Sequence, residues 1–169
     1  MFYGLATLCL ATSLASAAEG GQPSEPVIQS DATVRSEVVI AADIASVKAA
    51  LADPLAAAKL CPDIVSARVI ERGACDVVEI STRGMSAPLV YRVKRCPTAD
   101  GFHETMVSSD DFDDVKIDWQ LTAVQGGTRV TYSIRTLPDV PVPQRIISSL
   151  TAKSAVTTLK NLVLKVVGQ

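Results

Sequence analysis

The feature that most constrains the fold of this chain is a series of six strand-like segments joined by short, turn-like links. The segments cover residues 63–71, 74–82, 88–96, 102–109, 115–124 and 128–137. Within them apolar and polar side chains alternate, which is typical of strands that bury one face. Links as short as Gln125-Gly126-Gly127 suit antiparallel hairpins, whereas parallel neighbours would need a long crossover. The pattern therefore predicts a consecutive, up-and-down antiparallel sheet.

One strand and two short helices are predicted ahead of this series. Apolar residues alternate with polar ones from Thr33 to Ile40, as in a half-buried strand. Asp43 stands where a helix N-cap is expected, and apolar residues at helical spacing follow it to about Asp53. Pro54 interrupts this helix and suits the first turn of a second short one.

A long helix is predicted at the end of the chain, from Gln144 to Val167. Its apolar residues recur at three-four spacing, and Pro143 and Gly168 suit its beginning and its end. The sheet is the only partner large enough to bury this apolar stripe. A curved antiparallel sheet that closes on one long helix leaves an interior between them. The chain is therefore predicted to be an α+β protein.

Length and charge limit the number of domains and the classes of partner. The chain has 169 residues, of which 48% are hydrophobic and 20% charged, as in one ordinary globular domain. The formal net charge is -2, so the chain lacks the overall basic field that draws proteins to nucleic acids. We expect no nucleic-acid partner.

The N-terminal stretch predicts export. Residues 1–17 are uncharged and apolar, and they end in Ala15-Ser16-Ala17, a pattern that signal peptidase accepts. The alternative, a membrane anchor, needs roughly 20 apolar residues, and Glu19 ends the run too early. Residues 18–32 hold glycines, prolines and polar residues without apolar periodicity, which predicts a flexible leader before a domain at 33–169. The expected location is periplasmic or extracellular.

The hairpin of the second and third strand-like segments predicts a disulfide. One register sets three cross-strand pairs opposite each other: Glu79 with Arg92, Asp76 with Arg95, and Cys75 with Cys96. This register matches charges and also places the apolar residues on one face. Thiols pair in oxidising compartments, so we predict a Cys75–Cys96 disulfide with Cys61 as the odd thiol. The alternative is three free thiols. No CxxC spacing or histidine pair indicates a metal site.

The order of these predicted elements resembles a known superfamily. Four motifs carry the likeness: Ala42-Asp43-Ile44-Ala45-Ser46-Val47, Leu60-Cys61-Pro62-Asp63-Ile64, Trp119-Gln120-Leu121 and Gly126-Gly127-Thr128-Arg129-Val130-Thr131-Tyr132. They resemble the START-like (SRPBCC) superfamily, which includes polyketide cyclase/dehydrase-like proteins and the coenzyme Q-binding START branch. The resemblance implies a helix-grip fold over 33–169. In that fold a curved antiparallel sheet of about seven strands wraps around a long C-terminal helix, and two short helices follow the first strand.

The inward faces of the predicted strands and helix indicate a wall for an enclosed ligand. They are mostly apolar with a few polar tips, as pockets for hydrophobic molecules are. The candidate lining residues are Leu89, Tyr91, Val93, Trp119, Tyr132, Ile147 and Leu150. From the side chains alone, a filled core is the competing interpretation. The resemblance favours a cavity that holds a lipid, a quinone or a polyketide-like molecule.

Catalytic chemistry is weakly indicated. His103 is the single histidine, and it is the candidate general acid or base together with Tyr91 or Tyr132 in a cyclase-like enzyme. An ordinary surface or packing role for His103 is the competing interpretation. Glu104 faces away from His103 on a strand, so the two side chains do not share a face. We expect no cofactor.

The predicted terminal helix also suggests a membrane contact. It carries four basic residues and no acidic one: Arg145, Lys153, Lys160 and Lys165. Such a helix can touch an anionic membrane, although solvated lysines are the simpler alternative. With the loop at 138–141 it would form the gate for a lipid-like ligand.

The leading hypothesis is thus an exported binding or transport protein. The alternatives are a cyclase, or an envelope protein with a filled core and only protein partners.

Overall fold

The computed structural model of the protein describes residues 21–168, which form an α+β fold with eight strands and three helices. The strands are β1 (Val27–Ile28), β2 (Val34–Ile40), β3 (Ile64–Glu71), β4 (Asp76–Thr82), β5 (Leu89–Thr98), β6 (Gly101–Ser109), β7 (Phe112–Val124) and β8 (Gly127–Pro138). The helices are α1 (Ile44–Ala52), α2 (Pro54–Ala58) and α3 (Gln144–Val167). The fold class and the order of elements predicted from the sequence are confirmed.

All eight strands belong to one antiparallel sheet with the order β1-β2-β8-β7-β6-β5-β4-β3. Strands β3 to β8 follow one another as a meander, because each is joined to the next by a short turn. Strand β2 pairs with β8, so the first long strand extends the sheet beside the last one. The sheet curves around α3, and its concave face carries the core.

Alternation along each strand places the apolar residues on this concave face. In β2, Val34, Ser36, Val38 and Ile40 are buried, while the side chains that alternate with them face outward. The same alternation in β7 buries Ile117 and Trp119. Burial of these side chains stabilises the fold by roughly 1.5–3 kcal/mol for each large one. The core therefore lies between the concave face and the three helices.

Two short helices follow β2, and each is capped by an aspartate. The Asp43 carboxylate accepts a hydrogen bond from the Ser46 backbone N–H at 2.7 Å, which satisfies a free donor at the start of α1. Asp53 does the same for α2, where Pro54 takes the first helical position. Within residues 21–168, no helix has the length and hydropathy needed to cross a membrane.

The buried face of α3 consists mainly of small residues in its first half and larger apolar ones in its second half. The buried residues are Ser148, Ala152, Ala155, Thr158, Leu159, Leu162 and Val163. Small side chains let the helix backbone lie close to the sheet. The predicted apolar stripe included Leu150, which is 59% exposed instead.

The segment predicted to be a flexible leader differs from that expectation in residues 21–32. Its strand β1 pairs with β2, and the Ser24 backbone N–H donates to the Glu37 carbonyl oxygen at 2.7 Å. The Ser36 hydroxyl, buried in the sheet, donates to the Ser24 carbonyl oxygen at 2.9 Å. These contacts use backbone groups, so apolar periodicity gives no sign of them. Residues 18–20 lie outside the described part of the chain.

The turn between β7 and β8 depends on two glycines. Gly126 and Gly127 have φ values of 88° and 146°, a range that side chains with a Cβ atom rarely adopt. A Cβ at Gly127 would also overlap the carbonyl oxygen of Ile40 on the neighbouring strand. The hairpin predicted from Gly126-Gly127 is confirmed, and Gly127 in addition lets β2 approach this turn.

Candidate functional site

The interior between the sheet and the helices contains a small cavity of about 30 Å³. Helix α2 and the middle of α3 cover it, and the concave face of β4 to β8 forms its floor. The lining residues are Pro54, Ala57, Ala58, Cys61, Ile64, Val78, Ile80, Arg95, Glu104, Ile117, Trp119, Tyr132 and Thr158. This cavity is the candidate ligand site.

Two of the predicted wall residues, Trp119 and Tyr132, line this cavity. They are directly paired across β7 and β8, and their ring centroids are 4.3 Å apart. Tyr91 and Val93 face the same interior and are buried in the core beside the cavity. Leu89 is half-buried and packs against the edge of the core.

The two wall residues predicted on α3 lie elsewhere. Ile147 is half-buried, and Leu150 points to solvent. The reason is the rotation of the helix, which turns about 100° per residue. Ser148 and Ala152 face inward, so Leu150, two residues from each, faces roughly the opposite way. The placement of Leu150 on the cavity wall is therefore corrected: this residue belongs to the outer surface of α3.

The volume of the cavity shows how far aromatic side chains fill the interior. A volume of about 30 Å³ has room for about one or two water molecules. Sites for drug-sized ligands occupy roughly 300 Å³ or more. Trp119 and Tyr132, together with the edge-packed pair Tyr91 and Phe112, take up space that a ligand would need. This conformation is a closed state in which a large ligand requires side chains or helices to move.

A buried ion pair stands on the cavity floor among apolar neighbours. The Arg95 guanidinium of β5 contacts the Glu104 carboxylate of β6, and both side chains are almost fully buried, at 5% and 7% exposure. Arg95 Nη2 donates to the Leu51 carbonyl oxygen at the end of α1 at 2.6 Å. The guanidinium also lies 4.4 Å from the centre of the Phe102 ring. Arg95 therefore links the sheet to α1 and gives the cavity its polar end.

Burial changes the proton affinity of the polar groups in this interior. It raises the pKa of Glu104 above its usual range, while the Arg95 guanidinium acts in the opposite direction. Burial also raises the pKa of both Tyr91 and Tyr132 well above that of a free phenol. The two phenols therefore stay protonated near neutral pH, where they can donate hydrogen bonds but do not act as bases.

His103 lies on the outer, convex face of the sheet and not in the cavity. Its ring Nδ1 is hydrogen bonded to the Asp118 carboxylate of the neighbouring strand, and both side chains are substantially exposed. Strand alternation explains the position, because Glu104 is the next residue and faces inward. The hypothesis that His103 supplies acid-base chemistry inside the cavity is therefore corrected.

The predicted cysteine chemistry matches the structure. A disulfide joins Cys75 and Cys96, and the predicted pairs Glu79–Arg92 and Asp76–Arg95 are opposite each other in the ladder. Cys61 is a free thiol, half-buried on the cavity wall and 3.4 Å from the Ser154 hydroxyl oxygen. Within residues 21–168, no three His, Cys, Asp or Glu side chains lie close enough together to hold a metal ion.

Arg95 and Glu104 are the site residues that sequence reasoning missed. Arg95 was assigned to a cross-strand pair with Asp76, which gave its register but not its surroundings. The alternation of side chains along β5 could have indicated its burial, because Arg95 falls on the same face as Tyr91 and Val93. Glu104 had the complementary signal, since it is directly opposite Ile117, an inward-facing residue of β7.

Solved structures with similar folds come from several bacteria. A START superfamily protein from Mycobacterium smegmatis is 15% identical, covers 80% of this chain and 97% of its own, and superposes with a TM-score of 0.68. A STAR-related lipid transfer protein from Xanthomonas axonopodis is 21% identical over 89% of this chain and 95% of its own, with a TM-score of 0.63. An aromatase/cyclase from a Streptomyces species is 14% identical over 80% and 91%, with a TM-score of 0.62. At these identities the likeness shows the fold.

Sequence comparison identifies the family. No curated protein sequence matches this chain. A family model described as "Polyketide cyclase / dehydrase and lipid transport" matches residues 31–166, which is nearly all of the part with described structure. With the helix-grip fold seen here, this match confirms the resemblance inferred from the sequence. The chain belongs to the family described as "Polyketide cyclase / dehydrase and lipid transport".

Proposed function

We propose that this protein is an exported carrier that binds a hydrophobic small molecule between the concave face of its sheet and α3. The observation that carries the proposal is the interior itself: an apolar cavity with one polar end, formed by Arg95 and Glu104. A filled core does not need a buried ion pair, whose desolvation costs several kcal/mol per ion. A lipid, quinone or polyketide-like molecule has the matching chemistry, with a large apolar body and a few oxygen atoms.

A ligand of this kind requires the closed interior to open, and the first half of α3 is the best candidate for the moving part. Among residues 144–151 only Ser148 is buried, so few apolar contacts hold these turns to the sheet. Pro143 provides no side-chain cap at the start of the helix. Weakly packed segments open at low free-energy cost. The gate consists of residues 138–151, the loop and the first two turns of α3, which lead into the part of the helix that covers the cavity at Thr158.

The outer surface of this gate has the properties of a membrane contact. Ile146 and Leu150 are 46% and 59% exposed, and Arg145 and Lys153 flank them on the same helix. Apolar side chains beside basic ones favour the surface of an anionic bilayer. Docking there would present the opening of the interior to lipid-soluble molecules.

Export is the part of the proposal that rests on residues 1–17, which lie outside the described structure. The Cys75–Cys96 disulfide supports it, because such bonds persist in oxidising compartments. The mass of the chain recovered from the cell envelope or the medium tests the cleavage. A mature chain should begin at Ala18, whereas a chain that retains Met1 would contradict the signal peptide.

The gate can be tested with a reversible staple between α3 and β8. The hydroxyl oxygens of Thr136 and Thr151 are 3.3 Å apart, so cysteines at both positions need only a small shift to form a disulfide. In a Cys61→Ser background, the oxidised Thr136→Cys/Thr151→Cys protein should take up the uncharged dye N-phenyl-1-naphthylamine at least about tenfold more slowly. The physical reason is that the staple holds the gate closed. Energy transfer from Trp119, the single tryptophan, reports dye in the interior.

The controls separate the gate from general effects of oxidation. Thiol reduction should restore uptake in the stapled protein, while the Thr136→Ser/Thr151→Ser protein should behave like the Cys61→Ser parent under both conditions. Equal uptake by oxidised and reduced stapled protein would contradict the gate. A parent that takes up no dye at all would contradict binding in the interior.

A cyclase is the second candidate function, and Glu104 is the observation that favours it. It is the one carboxyl group among the residues that line the cavity, and burial raises its pKa toward the range useful in acid-base catalysis. His103 does not separate the two functions, because it lies outside the cavity. With an aromatic polyketide precursor, Glu104→Gln should abolish turnover if the protein is an enzyme. A carrier should return the precursor chemically unchanged even with the wild-type protein.

A further inference from the structure

A second, open hollow of about 530 Å³ lies outside the interior, at the end of the sheet covered by α1. Its helical wall is formed by α1, and its opposite wall by the ends of β5 and β6 with Pro97 and Phe102. The hollow, named the α1 groove below, shares one residue with the ligand cavity, because Arg95 lines both. Its size falls in the range of small-molecule sites, roughly 300–1,000 Å³.

The α1 groove owes its width to small side chains on the helix. Ala45, Ala49 and Ala52 line it from one face of α1, and all three are exposed. They are spaced four and three residues apart, as residues on one face of a helix are. Any larger side chain at Ala49 would project into the space between α1 and Phe102. The result is an open groove whose helical wall is formed mainly by alanines.

Arg95, which lines the α1 groove, has one polar atom without a partner. The side chain is 5% exposed, and its two terminal nitrogens are occupied by Glu104 and by the Leu51 carbonyl oxygen. Its Nε–H is buried and makes no hydrogen bond. A buried donor left without an acceptor is destabilising and is rare in folded proteins. An acceptor oxygen of a bound molecule would satisfy it.

The charges around the α1 groove favour an anion. Lys48 donates to the carbonyl oxygens of Thr98 and Ala99 at 2.9 and 3.1 Å. It has no carboxylate partner among the described residues. Asp76, the acidic residue of the lining, is already paired with Arg72 at 3.0 Å. With Glu104 paired to Arg95, one positive charge is left over at the groove.

We propose that the α1 groove binds a small aromatic carboxylate, distinct from any molecule held in the interior. The ring lies between the alanines of α1 and the Phe102 side of the groove. The carboxylate accepts hydrogen bonds from Arg95 Nε and from Lys48. The proposal does not depend on ligand binding in the interior, because the groove is open to solvent in the closed conformation.

The test is a titration of the mature, ¹⁵N-labelled protein with 2-naphthoate, followed by NMR. The Arg95 Nε–H signal and the backbone amides of Ala49 and Gly73 should shift together and saturate. In Ala49→Phe, which fills the groove, Kd should rise by about tenfold or more, equivalent to about 1.4 kcal/mol. Ala123→Phe, which places the same side chain at an exposed position of β7, should leave Kd unchanged.

The uncharged analogue 2-naphthamide tests the charge requirement. It should bind roughly tenfold more weakly, because the amide keeps an acceptor oxygen but has no negative charge to attract Arg95 and Lys48. Three results would overturn the proposal: no saturable shift at Arg95, a Kd in Ala49→Phe equal to that of wild type, or equal binding of the amide. Shifts confined to the Trp119 indole would also overturn it, and they would leave binding in the interior intact.

Discussion

Replacing Glu104 with alanine should lower the free energy of unfolding by about 3–5 kcal/mol, the usual cost of removing one partner of a buried ion pair. The Arg95 guanidinium would remain buried at 5% exposure without its counter-charge. A domain of this size has a stability of roughly 5–15 kcal/mol, so the variant would lose a large share of it. Urea denaturation of wild type and variant measures the difference.

Two controls identify the buried charge as the cause. Glu37→Ala breaks an exposed pair with Arg35 and should cost less than about 1 kcal/mol. Arg95→Met/Glu104→Met removes both charges and should be far more stable than Glu104→Ala, because no unpaired ion is left. A Glu104→Ala protein as stable as Glu37→Ala would contradict the description of the pair as buried and mutually compensating.

Removing the Cys75–Cys96 disulfide should lower the free energy of unfolding by about 3 kcal/mol. The two cysteines are 21 residues apart, and the bond restricts the unfolded chain by closing this loop. Cys75→Ser/Cys96→Ser is the variant to compare with wild type, again by urea denaturation. Hydroxyl groups replace the sulfur atoms at half-buried positions, so packing changes little.

Cys61→Ser is the matched control for the disulfide. It changes a half-buried, free thiol on the cavity wall and closes no loop. We expect it to cost less than about 1 kcal/mol, in the range of mild substitutions. If the double variant were as stable as Cys61→Ser, the disulfide would not contribute the expected restriction of the unfolded state.

The strands, their order and the disulfide were predictable because they follow from local alternation and from short turns. In the β4–β5 hairpin, one register satisfied the Glu79–Arg92 pair, the apolar face and the two cysteines together. A shift by one residue would have sent every apolar side chain to the wrong face. The bounds of α3 were equally clear, because Pro143 and Gly168 flank its apolar pattern.

The contents of the interior were harder to predict, for reasons that differ from residue to residue. The face of α3 that meets the sheet depends on the rotation of the helix about its axis. A shift of two residues in the assigned inward positions turns the helix by about 200°, and in the structure Leu150 is exposed rather than buried. The predicted pairing of Arg95 with Asp76 gave its register but not its burial, which is unusual for a charged residue in a strand. Its burial depends on Glu104 and the Leu51 carbonyl oxygen, which the fold brings to it from distant positions.

The small size of the cavity was not predictable either. Alternation identifies which side chains face inward, but not how tightly they pack. The contact between Trp119 and Tyr132, at 4.3 Å between ring centroids, fills space that a list of inward-facing residues leaves undecided. The closed interior is a result of packing geometry, and it is the reason that the proposed function includes a gate.

Binding of a hydrophobic molecule in the interior is the central claim, and native mass spectrometry with organic extraction tests it most directly. The protein is purified from its own cell envelope or medium, as wild type, as Ala57→Val and as Ala56→Val. Ala57 lines the cavity, so valine there should fill it and abolish any adduct, whereas Ala56, its neighbour on α2, does not line it. We predict a reproducible hydrophobic adduct on wild type and Ala56→Val that is absent from Ala57→Val. A bare polypeptide mass for wild type, or an adduct that persists in Ala57→Val, would contradict the claim.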